Sequence, residues 1–326
     1  MIAADGGAGH RPPPAGAPRF TELEIAVASV FGLEPAQVPL DRGAGLDPRQ
    51  ALEAAIRPAL ERPPCLVSFS GGRDSSCLLA AAAHVARREG LEAPIPVTLR
   101  FDDAPHADES SWQELVVSHL GLGEWQTLTL EDGDLIGSAA TRVLRRHGVL
   151  YPPNHYLIDT VMRAAPRGAS VLTGLGGDQL FGSWRWSSIG DLLSGRRRPE
   201  PRDLLRLAYV SVPSPLREPH ERALERPRVP EWLRPEAARE ALSLAARRAA
   251  QEPAWWRNRI RWRLRRRDLA ACRESLELLA ADAGVRAIAP ILDPGFVAAL
   301  ARAGGRSGYG DRTVTMRAVF GGLVPD

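Results

Sequence analysis

The sequence contains no lysine: all 42 basic side chains among its 326 residues are arginine. A kinase-type phosphate loop, G-x-x-x-x-G-K-[ST], is therefore excluded, because its lysine must reach the β- and γ-phosphates. Cysteine is scarce too. Cys65, Cys77 and Cys272 have none of the paired spacings of a zinc site and read as reduced thiols of a cytoplasmic protein. No apolar run approaches the roughly 18 residues that a membrane span needs. The N-terminus lacks the basic-then-apolar pattern of a signal peptide. The G-x-S-x-G elbow of a serine hydrolase is missing, and no internal repeat is visible. The formal net charge of +3 is small. It does not by itself imply nucleic acid, although an isoelectric point near 9.0 leaves that open.

What remains is the composition of a soluble globular chain, 44% apolar and 25% charged, long enough for one large domain or two ordinary ones. Residues 1–18 are rich in Gly, Pro and Ala without periodicity and read as a disordered tail. Residues 19–62 read as a helical lead-in. Phe20–Phe31 places Leu23, Val27, Val30 and Phe31 on one helical face, and a second helix covers 47–62. From 63 to 186 strands alternate with helices. Leu66–Ser70, Pro96–Phe101, Trp125–Leu130 and Ser170–Thr173 are strand-like. Helices are expected over Ser75–Glu89, Glu109–Leu120, Leu135–Arg146 and Tyr156–Ala165, with another starting at Asp178. This spacing implies βαβ units and a parallel sheet, whose ligands sit at the carboxyl ends of the strands. From about 187 to 326 the strand signals fade, and a helical C-terminal substrate region is expected.

Two glycine-rich segments fall at strand ends. The first, Ser70-Gly71-Gly72-Arg73-Asp74-Ser75-Ser76, links an apolar strand to an alanine-rich helix. Its glycines let a ligand approach the backbone. Its hydroxyls and amides donate, and the helix N-terminus carries partial positive charge, so the segment reads as a phosphate cradle. The S-G-G-x-D-S order resembles the pyrophosphate loop of the ATP pyrophosphatases, which cut ATP between the α- and β-phosphates. The second segment, Thr173-Gly174-Leu175-Gly176-Gly177-Asp178-Gln179-Leu180-Phe181-Gly182, again exposes amides at a strand end. Magnesium on a triphosphate takes one or two carboxylates plus phosphate oxygens. Asp74 and Asp178 are the natural pair, and helix N-capping is the competing role for Asp178.

With both segments present, residues 50–326 resemble the synthetase domain of the asparagine synthetase family. The motifs occur in the family's order: Ser70–Ser76, Pro96–Phe101, Asp108-Glu109-Ser110 with Leu120-Gly121-Leu122, Thr173–Gly182, Ala289-Pro290-Ile291-Leu292-Asp293, and Arg312–Phe320. The resemblance implies a Rossmann-like PP-loop fold and an ATP- and Mg2+-dependent ligase. In that chemistry a substrate carboxylate is adenylated, pyrophosphate leaves, and an amine or ammonia attacks the activated carbonyl. It also implies that Ser70, Gly71, Gly72, Ser75 and Ser76 hold pyrophosphate and that Asp74 and Asp178 hold magnesium. Leu99 would lie beside adenine, and Thr173 and Gly174 would touch the nucleotide.

The chain departs from the family in three places. No glutaminase half precedes the first strand, and residue 2 is Ile2 rather than a nucleophilic cysteine. Nitrogen is then expected from free ammonia, a partner protein or an amine already on the substrate. Leu175 stands where asparagine-forming members have glutamate and β-lactam-forming relatives have tyrosine. This points to a larger or more apolar acyl group. The family's catalytic lysine falls near Thr313, with Arg312 adjacent as the available cation. These departures fit macrolactam closure of the lasso-peptide-cyclase kind. A tRNA-modifying PP-loop enzyme and a non-catalytic nucleotide-binding partner are the competing readings.

Trp255–Arg267 interleaves tryptophan and arginine. One reading is a nucleic-acid or acidic-peptide surface. The other is an amphipathic helix whose Trp256, Ile260 and Leu264 stripe is buried, with the arginines elsewhere. Asp102, Asp103, Asp108 and Glu109 form an acidic cluster that repels a wrong substrate, binds a cation or caps the next helix. His155 and Tyr156 precede a helix expected beside the nucleotide site.

Overall fold

The computed structural model describes residues 18–35, 40, 45–101, 109–130, 136–182, 185–226 and 229–325. Five parallel strands form one sheet in the order β3-β2-β1-β4-β5. They are β1 (Cys65–Ser68), β2 (Ile95–Phe101), β3 (Gln126–Leu130), β4 (Ser170–Leu172) and β5 (Arg286–Ile288). The fold is therefore α/β and Rossmann-like. After β1 the chain builds outward through β2 and β3, then returns to the other side of β1 for β4 and β5. The loops after β1 and β4 consequently lead away from a shared crevice at the reversal of strand order, which is where open parallel sheets place ligands.

Period-two alternation of side chains divides the core into two layers. Cys65, Val67, Phe69 and Leu172 point to one face, packed by the helices Pro48–Leu60, Arg73–Glu89 and Pro294–Ala303. Leu66, Ile95, Val97 and Val171 point to the other, covered by Ser138–His147, His155–Ala164 and Arg267–Ala283. With both faces covered, β1 and β4 read as nearly continuous apolar runs. Each fully buried side chain of this kind contributes about 1.5–3 kcal/mol.

Several sequence expectations need correction. The helix expected over Phe20–Phe31 spans only Glu22–Ala26, capped by Thr21, and Ala28 at φ +48° ends it. Val30 and Phe31 are buried beyond its end. The expectation that strands stop near residue 187 misses β5, a three-residue strand paired with β4 through Ser170, Val171 and Leu172. Three residues are too few for alternation to be legible. The stripe Trp256, Ile260 and Leu264 does pack on the core, but not all of its arginines lie elsewhere. Arg259 is fully buried, and its Nη2 donates to the Gly182 carbonyl at 3.1 Å. The expected tail over residues 1–17 lies outside the described residues. So do Asp102, Asp103 and Asp108 of the acidic cluster and Leu135 at the start of its expected helix. Among the described residues no helix is long and apolar enough to cross a membrane.

Candidate active site

The first loop follows directly from β1. Phe69 N–H donates to the Val97 carbonyl at 2.9 Å, and buried Thr98 donates its hydroxyl to the Phe69 carbonyl at 2.8 Å. Trp125 Nε1 donates to the same hydroxyl at 2.9 Å, so β2 fixes the point where the loop leaves the sheet. Gly71 sits at φ +91°, a conformation that favours glycine. Gly72 is the N-cap of Arg73–Glu89 and provides no side-chain cap. The first-turn amides of that 17-residue helix thus keep the orphan donors of an uncapped N-terminus. The serines stiffen the turn from within. Ser75 Oγ donates to the Gly72 carbonyl (3.0 Å), Ser76 Oγ to the Gly71 carbonyl (3.0 Å), and Gly72 N–H to Ser70 Oγ (3.2 Å). Ser70 and Ser75 hydroxyls meet at 3.1 Å.

The second loop lies on the first. A Cβ added to Gly177 would fall 2.1 Å from Asp74 Oδ2, and one on Gly174 would sit 3.6 Å from the Asp74 Cβ and 3.7 Å from the Ser75 nitrogen. Gly176, at φ +100°, faces Leu292, whose Cδ2 would lie 2.6 Å from an added Cβ. The late Pro290–Leu292 turn is therefore the floor under this loop. Gly176 holds the N-cap position of the short helix Gly177–Leu180, so Asp178 is in its first turn and is not the cap.

Asp74, Asp178 and Arg312 converge. Arg312 donates Nη2 to Asp74 Oδ1 and Nη1 to Asp178 Oδ1, each at 2.8 Å. Arg312 opens the helix Arg312–Phe320, whose N-cap Asp311 accepts from Val314 N–H. The adjacent Thr313 is exposed, so Arg312 is the residue that turns to the carboxylates. The two contacts differ in weight. The Asp178 side chain is 81% exposed, and such pairs contribute about 0–1 kcal/mol. The Asp74 side chain is 16% exposed, so that pair anchors the guanidinium more firmly. Burial pushes the Asp74 carboxyl above its ordinary pKa; Arg312 opposes the shift and Asp178 adds to it.

A cavity of about 490 Å3 opens beside the loops, at the carboxyl end of β1, β2 and β4. Ser70, Leu99, Thr173 and Leu175 line it, together with His155 and Gln113. Thr173 Oγ1 and Gln113 Oε1 are buried there without hydrogen-bond partners. His155 is buried, its Nε2 is 3.2 Å from the Cys272 carbonyl, and desolvation pulls its pKa down to about 4. It is therefore neutral at neutral pH. Tyr156 faces the core instead.

These residues fit a nucleoside triphosphate. An uncapped helix N-terminus, a glycine at positive φ and an orphaned hydroxyl on the cavity wall are what a phosphate chain and its nucleoside require. They also fit magnesium. Asp74 and Asp178 would supply the one or two carboxylates that this ion takes alongside phosphate oxygens and water. No cluster of three or more metal-ligating side chains forms among the described residues.

Gln113 was not legible as a site residue: a glutamine in the first turn of a surface-patterned helix carries no motif. Arg259 was missed for a similar reason, since its inward hydrogen bond goes to the Gly182 carbonyl, 77 residues away in sequence.

The parallel sheet, its order reversal and the two loops packed there define a nucleotide-type α/β domain of the PP-loop class. The chain belongs to the asparagine synthase family, whose sequence model matches residues 47–326. A search of curated proteins finds no match. Members of this family are ATP-dependent amide-bond-forming ligases.

Proposed function

We propose that this chain activates a substrate carboxylate with ATP and transfers the acyl group to an amine. A carboxylate oxygen attacks the α-phosphorus, the bond to the bridging α–β oxygen breaks, and pyrophosphate departs with that electron pair. The amine then attacks the acyl-adenylate carbonyl. AMP leaves, the nitrogen loses its proton, and an amide remains. The observation that carries this reading is the convergence of Asp74, Asp178 and Arg312 where the two glycine-rich loops meet.

Ser70–Ser76 receives the departing pyrophosphate through its open amides and the positive helix end. Asp74 and Asp178 hold magnesium, which offsets phosphate charge when bound. Arg312 supplies the cation in this lysine-free chain, and its fork keeps both carboxylates in place. Leu99 and Thr173 bound the nucleoside from β2 and β4. Catalysis here is positioning and charge stabilisation rather than covalent chemistry.

Leu175 favours an apolar acyl group. It lines the cavity with Leu157, Ile158, Val161 and Leu276, and it can neither orient an amine nor accept a proton. The narrower form of the proposal is macrolactam closure, in which the amine belongs to the same molecule as the carboxylate. The test is ATP–pyrophosphate exchange with purified protein, Mg2+ and panels of apolar carboxylates, peptides bearing Asp or Glu, and tRNA. Exchange with the carboxylates or peptides is expected. Nucleotide binding without exchange on any of them would sink the catalytic reading in favour of a binding module, and exchange with tRNA alone would redirect it to base modification.

A further inference from the structure

The backbone at the start of the pyrophosphate loop is held from inside by the loop's own serines and is reached from outside by Gln113. This glutamine lies on the helix Ser110–Leu120, is 3% exposed, and donates Nε2 to the Ser70 carbonyl at 2.6 Å. Its aliphatic stem fills the space that a side chain at Gly71 would occupy. A Cβ there would stand 2.8 Å from Gln113 Cγ and 2.7 Å from Glu109 Oε2.

The loop amides are not equivalent. Ser70 N–H donates to Ser75 Oγ, and Gly72 N–H donates to Ser70 Oγ. The Gly71 N–H between them has no protein acceptor among the described residues. It shares a peptide unit with the Ser70 carbonyl, and in a trans peptide the C=O and N–H point in opposite directions. Fixing the carbonyl on Gln113 therefore turns the Gly71 N–H away from the helix Ser110–Leu120. Because Gly71 sits at φ +91° and glycine populates either sign of φ readily, nothing intrinsic to the chain prevents this peptide from turning over.

Packing alone does not account for an amide at position 113. Its Oε1 is buried without a partner, and an apolar side chain of equal length would fill the space without that cost. The donor, directed at Ser70, is what the amide adds.

We propose that Gln113 is a positioning residue: it clamps the Ser70–Gly71 peptide so that the Gly71 N–H stays presented to an incoming phosphate oxygen. The inference rests on the reading of Ser70–Ser76 as a pyrophosphate cradle. The flanking hydroxyls set two amides permanently, and Gln113 decides the third.

The test uses the full chain labelled with 15N-glycine and two variants, Gln113→Met, which keeps the length and removes the donor, and Gln113→Glu, which keeps the shape and sets an acceptor against the Ser70 carbonyl. In the ligand-free protein the Gly71 amide signal is expected to move in both variants, while those of Gly90 and Gly121 stay in place. Titration with Mg-ATP and with inorganic pyrophosphate is expected to show about tenfold weaker binding for Gln113→Met and a larger loss for Gln113→Glu. In the exchange assay KM for ATP should rise more than kcat falls. An unmoved Gly71 signal in a folded variant, or unchanged pyrophosphate affinity in a protein that binds it, overturns the inference. Should Gln113→Met fail to fold, the isosteric Gln113→Glu carries the same readouts. If the unaltered protein binds neither ATP nor pyrophosphate, the proposed function falls, and the ligand-free Gly71 signal alone decides whether Gln113 sets this peptide.

Discussion

The two glycine-rich loops use the same residue type for opposite purposes. In the first, Gly71 and Gly72 keep the backbone bare: the amides of a long helix stand uncapped, and what an added Cβ at Gly71 would strike is side chain, from Glu109 and Gln113, rather than backbone. In the second, glycine lets one segment lie directly on another. Gly177 is pressed on the Asp74 carboxylate, and Gly182 on the Asp178 carbonyl oxygen, 2.1 Å from where its Cβ would be. One loop leaves its backbone amides open and the other is pressed against a carboxylate. Arg312 joins them from a helix more than 130 residues further along the chain.

This contrast can be broken at graded depth. The largest effect is expected from Asp74→Ala, which removes both the Arg312 anchor and half of the carboxylate pair. ATP–pyrophosphate exchange should fall on the order of 10^2–10^3-fold while circular dichroism stays native. Undiminished exchange would show that the loops meet for structural reasons alone. Gly177→Ala comes next, because the new methyl would overlap Asp74. Overpacking should cost about 1–3 kcal/mol in urea unfolding. Gly123→Ala, with nothing within 4 Å of the added carbon, is the matched control and should cost much less.

Arg312 separates charge from geometry. Arg312→Ala should lower exchange by about 10^2-fold. Arg312→Lys should lose less, because a point charge restores the cation but cannot fork both carboxylates. Equal losses would assign the function to the fork. Leu175→Glu probes the cavity wall. A carboxyl group among Leu157, Ile158 and Leu276 should raise KM for an apolar carboxylate about tenfold, more than it raises KM for ATP.

The smallest effect is a slope. Folding raises the Asp74 pKa, with burial as its first cause. Between the unfolded value and the raised folded value, the native state therefore binds more protons than the unfolded state. Stability falls as pH rises through that window, and the contribution is fully present only below the unfolded pKa. Asp74→Asn removes this term. Its melting temperature relative to the unaltered protein should improve from pH 3.5 toward neutrality, and a flat difference would mean that Asp74 stays ionised in the folded protein without cost.

Much of this arrangement was legible in the chain. Four of the five strands begin and end within two residues of their expected places, because buried parallel strands are continuous apolar runs and their ends carry glycine. Both loops were readable because close backbone approach admits few residue types. The short β5 was not, since a three-residue strand has no period. Nor was the placement of Gln113, whose partner is a carbonyl 43 residues away. The amphipathic reading of Trp255–Arg267 identified the stripe but not buried Arg259, because periodicity reports which face is apolar and not which polar group will find a carbonyl inside.

Local chemistry thus determined the strand–loop–helix units, the lysine-free glycine–serine loop and the family. Which residues share the crevice was decided only when the sheet reversed its order and carried Asp178 and Arg312 to Asp74. Hydrogen bonds and ion pairs act over a few ångströms, and separation along the sequence does not say which groups folding will bring within that distance.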